Sequence, residues 1–184
     1  ITSNISTPDL VVANAGIGIN GAAGKNTNEN IEFANNLMFG GPIRLIEHYL
    51  PKMKERKSGR IVIISSIGAL IPMPKSAIYA AVKSGIYAYG VSLNEELRND
   101  NISVTVSLPG YVQTNIHKRS GLEHLTKQIP SWMWVSSEQV VKETEIASIK
   151  GYSKVIPGML YRVASIFFNL KISKFIWKLM NGRK

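Results

Sequence analysis

The chain has 184 residues, 45% of them hydrophobic, with 22 Lys and Arg against 12 Asp and Glu and a formal net charge of +10. That length suits one domain with a sizeable core. The absence of cysteine excludes a disulfide framework and a thiolate metal site, and His48, His117 and His124 are scattered without metal-ligand spacing.

Residues 9–13 (Asp-Leu-Val-Val-Ala) form a short apolar run suited to a buried parallel strand, ended by Asn14-Ala15-Gly16. A polar loop leads to Thr27-Asn28-Glu29, a helix start, and Ile31, Ala34, Leu37 and Met38 continue it as an apolar stripe. This helix is expected to reach Tyr49, before Leu50-Pro51 and a basic stretch. Ser58-Gly59 is a turn, and 61–65 is a strand that ends in the pair Ser65-Ser66. A loop with Pro72 and Pro74 precedes a long helix expected from Ile78 to Asn99. Ile102 to Leu108 is β-branched and alternating, a further strand that stops at Pro109-Gly110. Helix and strand in alternation predict a parallel sheet covered on both faces. There is no internal repeat and no low-complexity segment.

Ser66 ends its strand thirteen residues before Tyr79, and Lys83 stands one helical turn beyond Tyr79. Residues four apart on a helix share a face. A lysine cation beside the phenol is expected to favour phenolate and to lower the tyrosine pKa from about 10. Such a hydroxyl exchanges protons with an alcohol or a carbonyl.

Ala13-Asn14-Ala15-Gly16, Ser66, Tyr79 with Lys83, and Pro109-Gly110 with Thr114 stand in the order and spacing of the short-chain dehydrogenase/reductase family. The chain resembles that family over about residues 8–116, and more loosely through about residue 158. The resemblance implies an α/β fold, a Rossmann-like doubly wound parallel sheet, and NAD(P)-linked interconversion of alcohols and carbonyls. It implies that Ser66 holds the substrate oxygen, that Tyr79 is the general acid or base, and that Lys83 tunes Tyr79 and holds the nicotinamide ribose. Asn14, Ala15 and Gly16 would pass near the adenine ribose, although as a bare sequence they are also an ordinary turn. Pro109, Gly110, Val112 and Thr114 would meet the nicotinamide end, with Val112 offering backbone groups to the carboxamide. The cofactor is NAD or NADP without a stated preference, since the family's discriminating residue has no counterpart in this chain.

Two departures matter. The family's Thr-Gly-x-x-x-Gly-x-Gly turn is absent, and Gly16-Ile17-Gly18 and Gly21 to Gly24 follow the wrong strand to replace it. The first βαβαβ half of the fold, about 70 residues, is therefore expected upstream of Ile1. Without it, open strand edges and apolar faces should make the chain associate. The second departure concerns an Asn that, in the family, binds a water in a proton relay behind the lysine. Counting from Asn14, Thr27 and Pro51 places that position at Met38, whose thioether holds a water poorly. Asn36, within one turn of it, is the alternative.

Between Thr114 and about Ser137 the family carries a variable lid. Here it holds Ile116, Leu122, Leu125, Ile129, Trp132, Met133 and Trp134, which suit either a lipophilic substrate or a covered core. After Glu145 there is no acidic residue, and eight cations from Lys150 to Lys184 fall within residues 146–184. The domain is expected to span 1–156, followed by a basic amphipathic tail, 157–184, that favours an anionic membrane surface over docking on its own domain. No reading motif accompanies the charge, so nucleic acid is not an expected partner.

No secretory signal or bilayer-length apolar run is visible, so the expected place is the cytoplasm, including the periphery of a membrane. Asn4-Ile5-Ser6 and Asn101-Ile102-Ser103 then read as chance matches to the glycosylation pattern. A homo-oligomer is expected, the helix after Tyr79 pairing with its copy. The leading function is an oxidoreductase acting on a lipophilic carbonyl or alcohol. Its rival is a non-catalytic, membrane-associated scaffold, a truncated relative without cofactor binding that keeps the site residues by descent.

Overall fold

The computed structural model describes residues 6–19, 21–114 and 129–168. Among these the elements run β1 (Leu10–Ala13), α1 (Asn28–Asn35), α2 (Gly41–Arg56), β2 (Gly59–Ile64), α3 (Ala77–Glu96), β3 (Ile102–Ser107), β4 (Tyr111–Val112), β5 (Trp134–Val135), α4 (Ser137–Ile149), β6 (Lys154–Val155) and α5 (Met159–Ile166). The four strands β1-β2-β3-β6 form one parallel sheet in that order, with Val11 opposite Ile61 and Val62 opposite Thr105. Parallel neighbours need crossovers, and the intervening helices supply them. The expected α/β architecture is observed.

Alternation along β3 explains why both faces of the sheet are covered. Ile102, Val104 and Val106, with Leu108 beyond the strand, join Ile46, Leu50 and Met53 of α2 and Ile86 and Leu93 of α3 in one apolar cluster. The intervening hydroxyl residues face the other way. Ser103 Oγ donates to the Ser148 carbonyl at 3.2 Å, Thr105 Oγ1 to the Tyr152 carbonyl at 2.6 Å, and the Ser107 and Thr144 hydroxyls meet at 2.8 Å. Helix α4 therefore sits on hydroxyl bonds, whereas α2 and α3 sit on hydrocarbon. Burial of hydroxyls is tolerated because they are paired.

Thr27 caps α1 as its sequence predicts, accepting from Asn30 N–H at 3.3 Å. Two boundaries differ from expectation. The chain from Asn36 to Gly40 winds as one π-helical segment between α1 and α2, and α2 then runs past Tyr49 and Pro51 to Arg56. Leu50 and Met53, both buried, hold the turns around the exposed Pro51 on the sheet, and packing outweighs the proline penalty. Lys57, left-handed at φ 50°, closes the helix. Helix α3 ends at Glu96, three residues before the expected Asn99.

β1 is an outer strand whose second edge has no partner among the described residues, and Val12 is 48% exposed. At the other end of the chain, Pro157 to Phe168 packs on the domain. Tyr161 is buried with Ile67, Val135 and Val140, so this stretch takes the docking alternative. The tail residues from 169 onward, including Phe175, Trp177 and Leu179, lie outside the described residues, as do Ile116, Leu122 and Leu125 of the expected lid. No helix among the described residues is long and apolar enough to cross a membrane.

Candidate active site

Parallel pairing brings the carboxyl ends of β1, β2 and β3 side by side. Asn14–Gly16, Ser65–Ser66 and Leu108–Thr114 follow those ends, so the three expected segments share one edge of the sheet. Tyr79 and Lys83 arrive from the first turns of α3.

The two serines after β2 have opposite tasks. Ser65 is buried, and its Oγ donates to the Lys83 carbonyl at 2.8 Å. Ser66 is extended and caps a 3-10 turn over Ile67–Ala69, its Oγ accepting from Gly68 N–H at 3.1 Å. Ser66 also stands beside Tyr79: a Cβ placed on Gly68 would lie 3.4 Å from Ser66 Oγ and 3.5 Å from Tyr79 Cε1. On the next turn of α3, Ser84 Oγ donates to the Ala69 carbonyl at 2.9 Å. The start of α3 is thus stitched to the loop that carries Ser66.

Lys83 is 4% exposed, its Nζ donating to the Ile64 carbonyl at 2.9 Å and lying 5.9 Å from the centre of the Tyr79 ring. Burial lowers its pKa from 10.5 to about 8. Burial raises the Tyr79 pKa, and the Ser66 hydroxyl opposes that only in part. The expected phenolate-favouring effect is therefore reversed in this structure. The amine sits against the ring, is itself stripped of water, and does not offset the dehydration of the phenol.

Met38 is 1% exposed and stands at the centre of the π segment, while Asn36 is exposed at its start. A Cβ placed on Gly16 would lie 3.7 Å from Lys83 Nζ and 3.9 Å from Met38 Sδ. The thioether and the amine flank the same glycine, and Met38 is the residue of the two that the fold turns inward. A π segment re-aims side chains by adding a residue to the turn.

On the β3 side, Ile67 N–H donates to the Pro109 carbonyl at 2.9 Å, which sets the Pro109–Gly110 turn beside the Ser66 loop. Tyr111 and Val112 pair in parallel with Trp134 and Val135, and Gln113 N–H donates to the Val135 carbonyl at 3.0 Å. Tyr161 Oη accepts from Tyr111 N–H at 3.1 Å and donates to the Met133 carbonyl at 2.6 Å. Burial pushes its pKa up to about 12, so it stays a neutral phenol. Val112 is half-buried, and Asn14, Ala15 and Thr114 are exposed. Of the expected lid, Met133 is buried and Trp132 is 64% exposed. Sequence reasoning set Ser65 aside in favour of Ser66 without seeing its structural task, and it missed Tyr161. The first resembles any buried strand-end serine, and the second stands in a run that reads as an amphipathic tail.

The donor set suits one end of a nicotinamide cofactor. Two hydroxyls, one amine and the 109–112 backbone face a common edge, which matches a ribose and a carboxamide. The loop from β1 to α1 carries Gly16, Gly18, Gly21 and Gly24, but not in the Thr-Gly-x-x-x-Gly-x-Gly spacing of the family's phosphate turn. No His, Asp and Glu cluster among the described residues could hold a metal.

Residues 1–124 match the family described as short chain dehydrogenase. The dehydrogenase/reductase SDR family member 7B of Rattus norvegicus is 38% identical over 108 residues, 59% of this chain and 33% of the relative. The 3-ketodihydrosphingosine reductase of Bacteroides thetaiotaomicron is 31% identical over 128 residues, 70% of this chain and 48% of the relative. The chain thus spans between a third and a half of the length of these curated relatives. The short-chain dehydrogenase from Sphingobium yanoikuyae in complex with NADPH has the same fold, with a TM-score of 0.78 at 22% identity, covering 98% of this chain and 68% of that one. A gluconate 5-dehydrogenase from Burkholderia cenocepacia in complex with NADP and tartrate aligns with a TM-score of 0.74 at 16% identity, over 88% of this chain and 67% of that one.

Proposed function

The chain belongs to the short-chain dehydrogenase/reductase family, and from that premise we propose that it acts in NAD(P)-linked interconversion of a carbonyl and an alcohol on a lipophilic substrate. The observation that carries this reading is the gathering of Ser66 and Tyr79 around Gly68 with Lys83 buried against the Tyr79 ring. Ser66 holds the substrate oxygen, and Tyr79 gives that oxygen a proton in reduction or takes one in oxidation. Lys83 and Tyr79 hold the ribose of the nicotinamide half. Asn14, Ala15, Gly16, Pro109, Gly110, Val112 and Thr114 line the remaining contact. When bound, the nicotinamide supplies or accepts the hydride. The raised Tyr79 pKa keeps its proton in place at neutral pH, the form that carbonyl reduction requires.

Two observations support a lipophilic substrate: the exposed Trp132 beside the site strands, and a relative named for a sphingoid ketone. The outer face of α5 supports contact with an anionic membrane surface. Met159, Val163, Ile166 and Phe167 are exposed there, and residues 146–184 carry no acidic side chain, while Arg162 of α5 is itself paired with Glu143. The long α3 helix supports pairing with a second copy.

The test is oxidation of NADH or NADPH by the intact protein with a long-chain ketone and a short-chain ketone. Tyr79→Phe should cut turnover by about 10²–10⁴, a larger effect than any weakening of coenzyme binding from the lost ribose contact. Turnover that survives Tyr79→Phe would sink the assignment, and equal rates on both ketones would sink the lipophilic preference.

A further inference from the structure

The sheet edge that holds Tyr79 and Lys83 is completed by the turn from Pro109 to Val112, and one side chain secures that turn from far along the chain. Tyr161 is 4% exposed, and its hydroxyl bridges the two strands of the small sheet. It accepts from Tyr111 N–H in β4 and donates to the carbonyl of Met133, the residue before β5. Its ring lies directly against Gly110. A Cβ on that glycine would fall 2.1 Å from the ring, so any other residue there would displace either the turn or the tyrosine.

Helix α5 that presents Tyr161 is itself fixed. Gly158, at φ 87°, turns the chain into α5, a conformation that favours glycine. Glu143 of α4 accepts from Gly158 N–H at 3.3 Å and pairs with the Arg162 guanidinium one residue beyond Tyr161. The carboxylate thus stands at the N-terminus of α5, where it is favoured. Tyr161 is therefore held from both sides, by the apolar pocket of Ile67, Val135 and Val140 and by the Glu143 latch.

We propose that Tyr161 is a positioning residue for the nicotinamide end of the coenzyme, acting through the backbone of Tyr111 and Val112. The inference rests on the oxidoreductase reading above. A ring that only filled space would need no hydroxyl. The Tyr161 hydroxyl instead joins a strand of the site to the chain returning from the lid region, and sets their spacing. Removing it leaves two backbone groups without this partner at the place where the coenzyme must be met.

Tyr161→Phe keeps the ring and deletes both bonds. In the intact protein, the Kd of NADH or NADPH should rise about tenfold, the scale of one lost hydrogen bond. Hydrogen exchange at the Tyr111 amide should quicken by a similar factor, while the β2 amides stay protected. Glu143→Gln, which loosens α5 but leaves Tyr161 intact, should give a smaller rise in the same Kd. A wild-type protein that binds neither coenzyme overturns the oxidoreductase reading together with this proposal. A wild-type protein that binds, with Tyr161→Phe binding equally well, overturns the proposal alone, whatever happens to thermal stability.

Discussion

Helix α3 reaches the site through short ties, whereas the Pro109–Val112 turn is held from 50 residues further along the chain. Ser65, Lys83 and Ser84 bond to partners 15 to 19 positions away, all within one strand–loop–helix unit. The turn touches that unit through the Ile67–Pro109 bond and is otherwise held by Tyr161 and by pairing with β5. The first side is tied together within one crossover. The second needs β4, β5, α4 and α5 in place together. On the proposed reading, chemistry that must keep one geometry sits on α3, and the longer-range side meets the coenzyme.

The strongest way to break this contrast is Lys83→Met. The folded-state pKa of Lys83 is depressed to about 8 from 10.5 by burial, so the unfolded chain binds the extra proton between those values. Wild-type stability therefore rises with pH across about pH 8 to 10.5, and the full penalty for burying the cation is present below about 8. That penalty is about 3 kcal/mol, and the lost bond to the Ile64 carbonyl returns about 1 kcal/mol of it. Lys83→Met should be more stable than wild type by about 2 kcal/mol at neutral pH, with the difference shrinking toward about pH 10. Urea unfolding at the two pH values checks this. Turnover should be lost in the same variant. A variant that is both active and no more stable would show that Lys83 is not a buried, functionally retained charge.

Ser65→Ala should have a smaller effect, confined to the short-range side. It removes the bond to the Lys83 carbonyl and should cost about 1–2 kcal/mol in unfolding free energy. Because that bond fixes the turn of α3 bearing the amine, kcat should fall more than the coenzyme KM rises. Tyr161→Phe should show the opposite split. If both variants raise KM alike, the two sides are not separable and the comparison fails.

The same contrast decides what could be read in the sequence. The α3 side was legible because Ser66, Tyr79 and Lys83 belong to a single strand–loop–helix unit, whose spacing survives in the linear chain. The fold class was legible too, since β1, β2 and β3 are apolar runs between helical stripes. The sign of the Tyr79 shift was not legible, because it depends on dehydration and a chain of letters carries no burial. Nor was Tyr161. Its partners are Tyr111 and Met133, and its own neighbours read as a basic amphipathic tail. The π segment was hidden for a similar reason. Met38 and Asn36 differ only in which face an extra residue in the turn presents, a matter that packing against Gly16 and α3 decides.

Met38→Asn gives the smallest expected effect and probes the least legible feature. The thioether flanks Gly16 beside Lys83, where it can neither hold a water firmly nor accept strongly from the amine. An amide there offers a carbonyl acceptor, which favours the charged lysine and should raise its pKa from about 8. The alkaline limb of the kcat/KM profile should then move to higher pH, and reductive turnover should rise a few-fold as Lys83 gains a water-mediated path for its proton. Asn36→Ala, on the exposed start of the π segment, should change neither. If Met38→Asn leaves both the profile and turnover where they were, the proton does not travel past residue 38, and its path must run from Tyr79 through Ser66 instead.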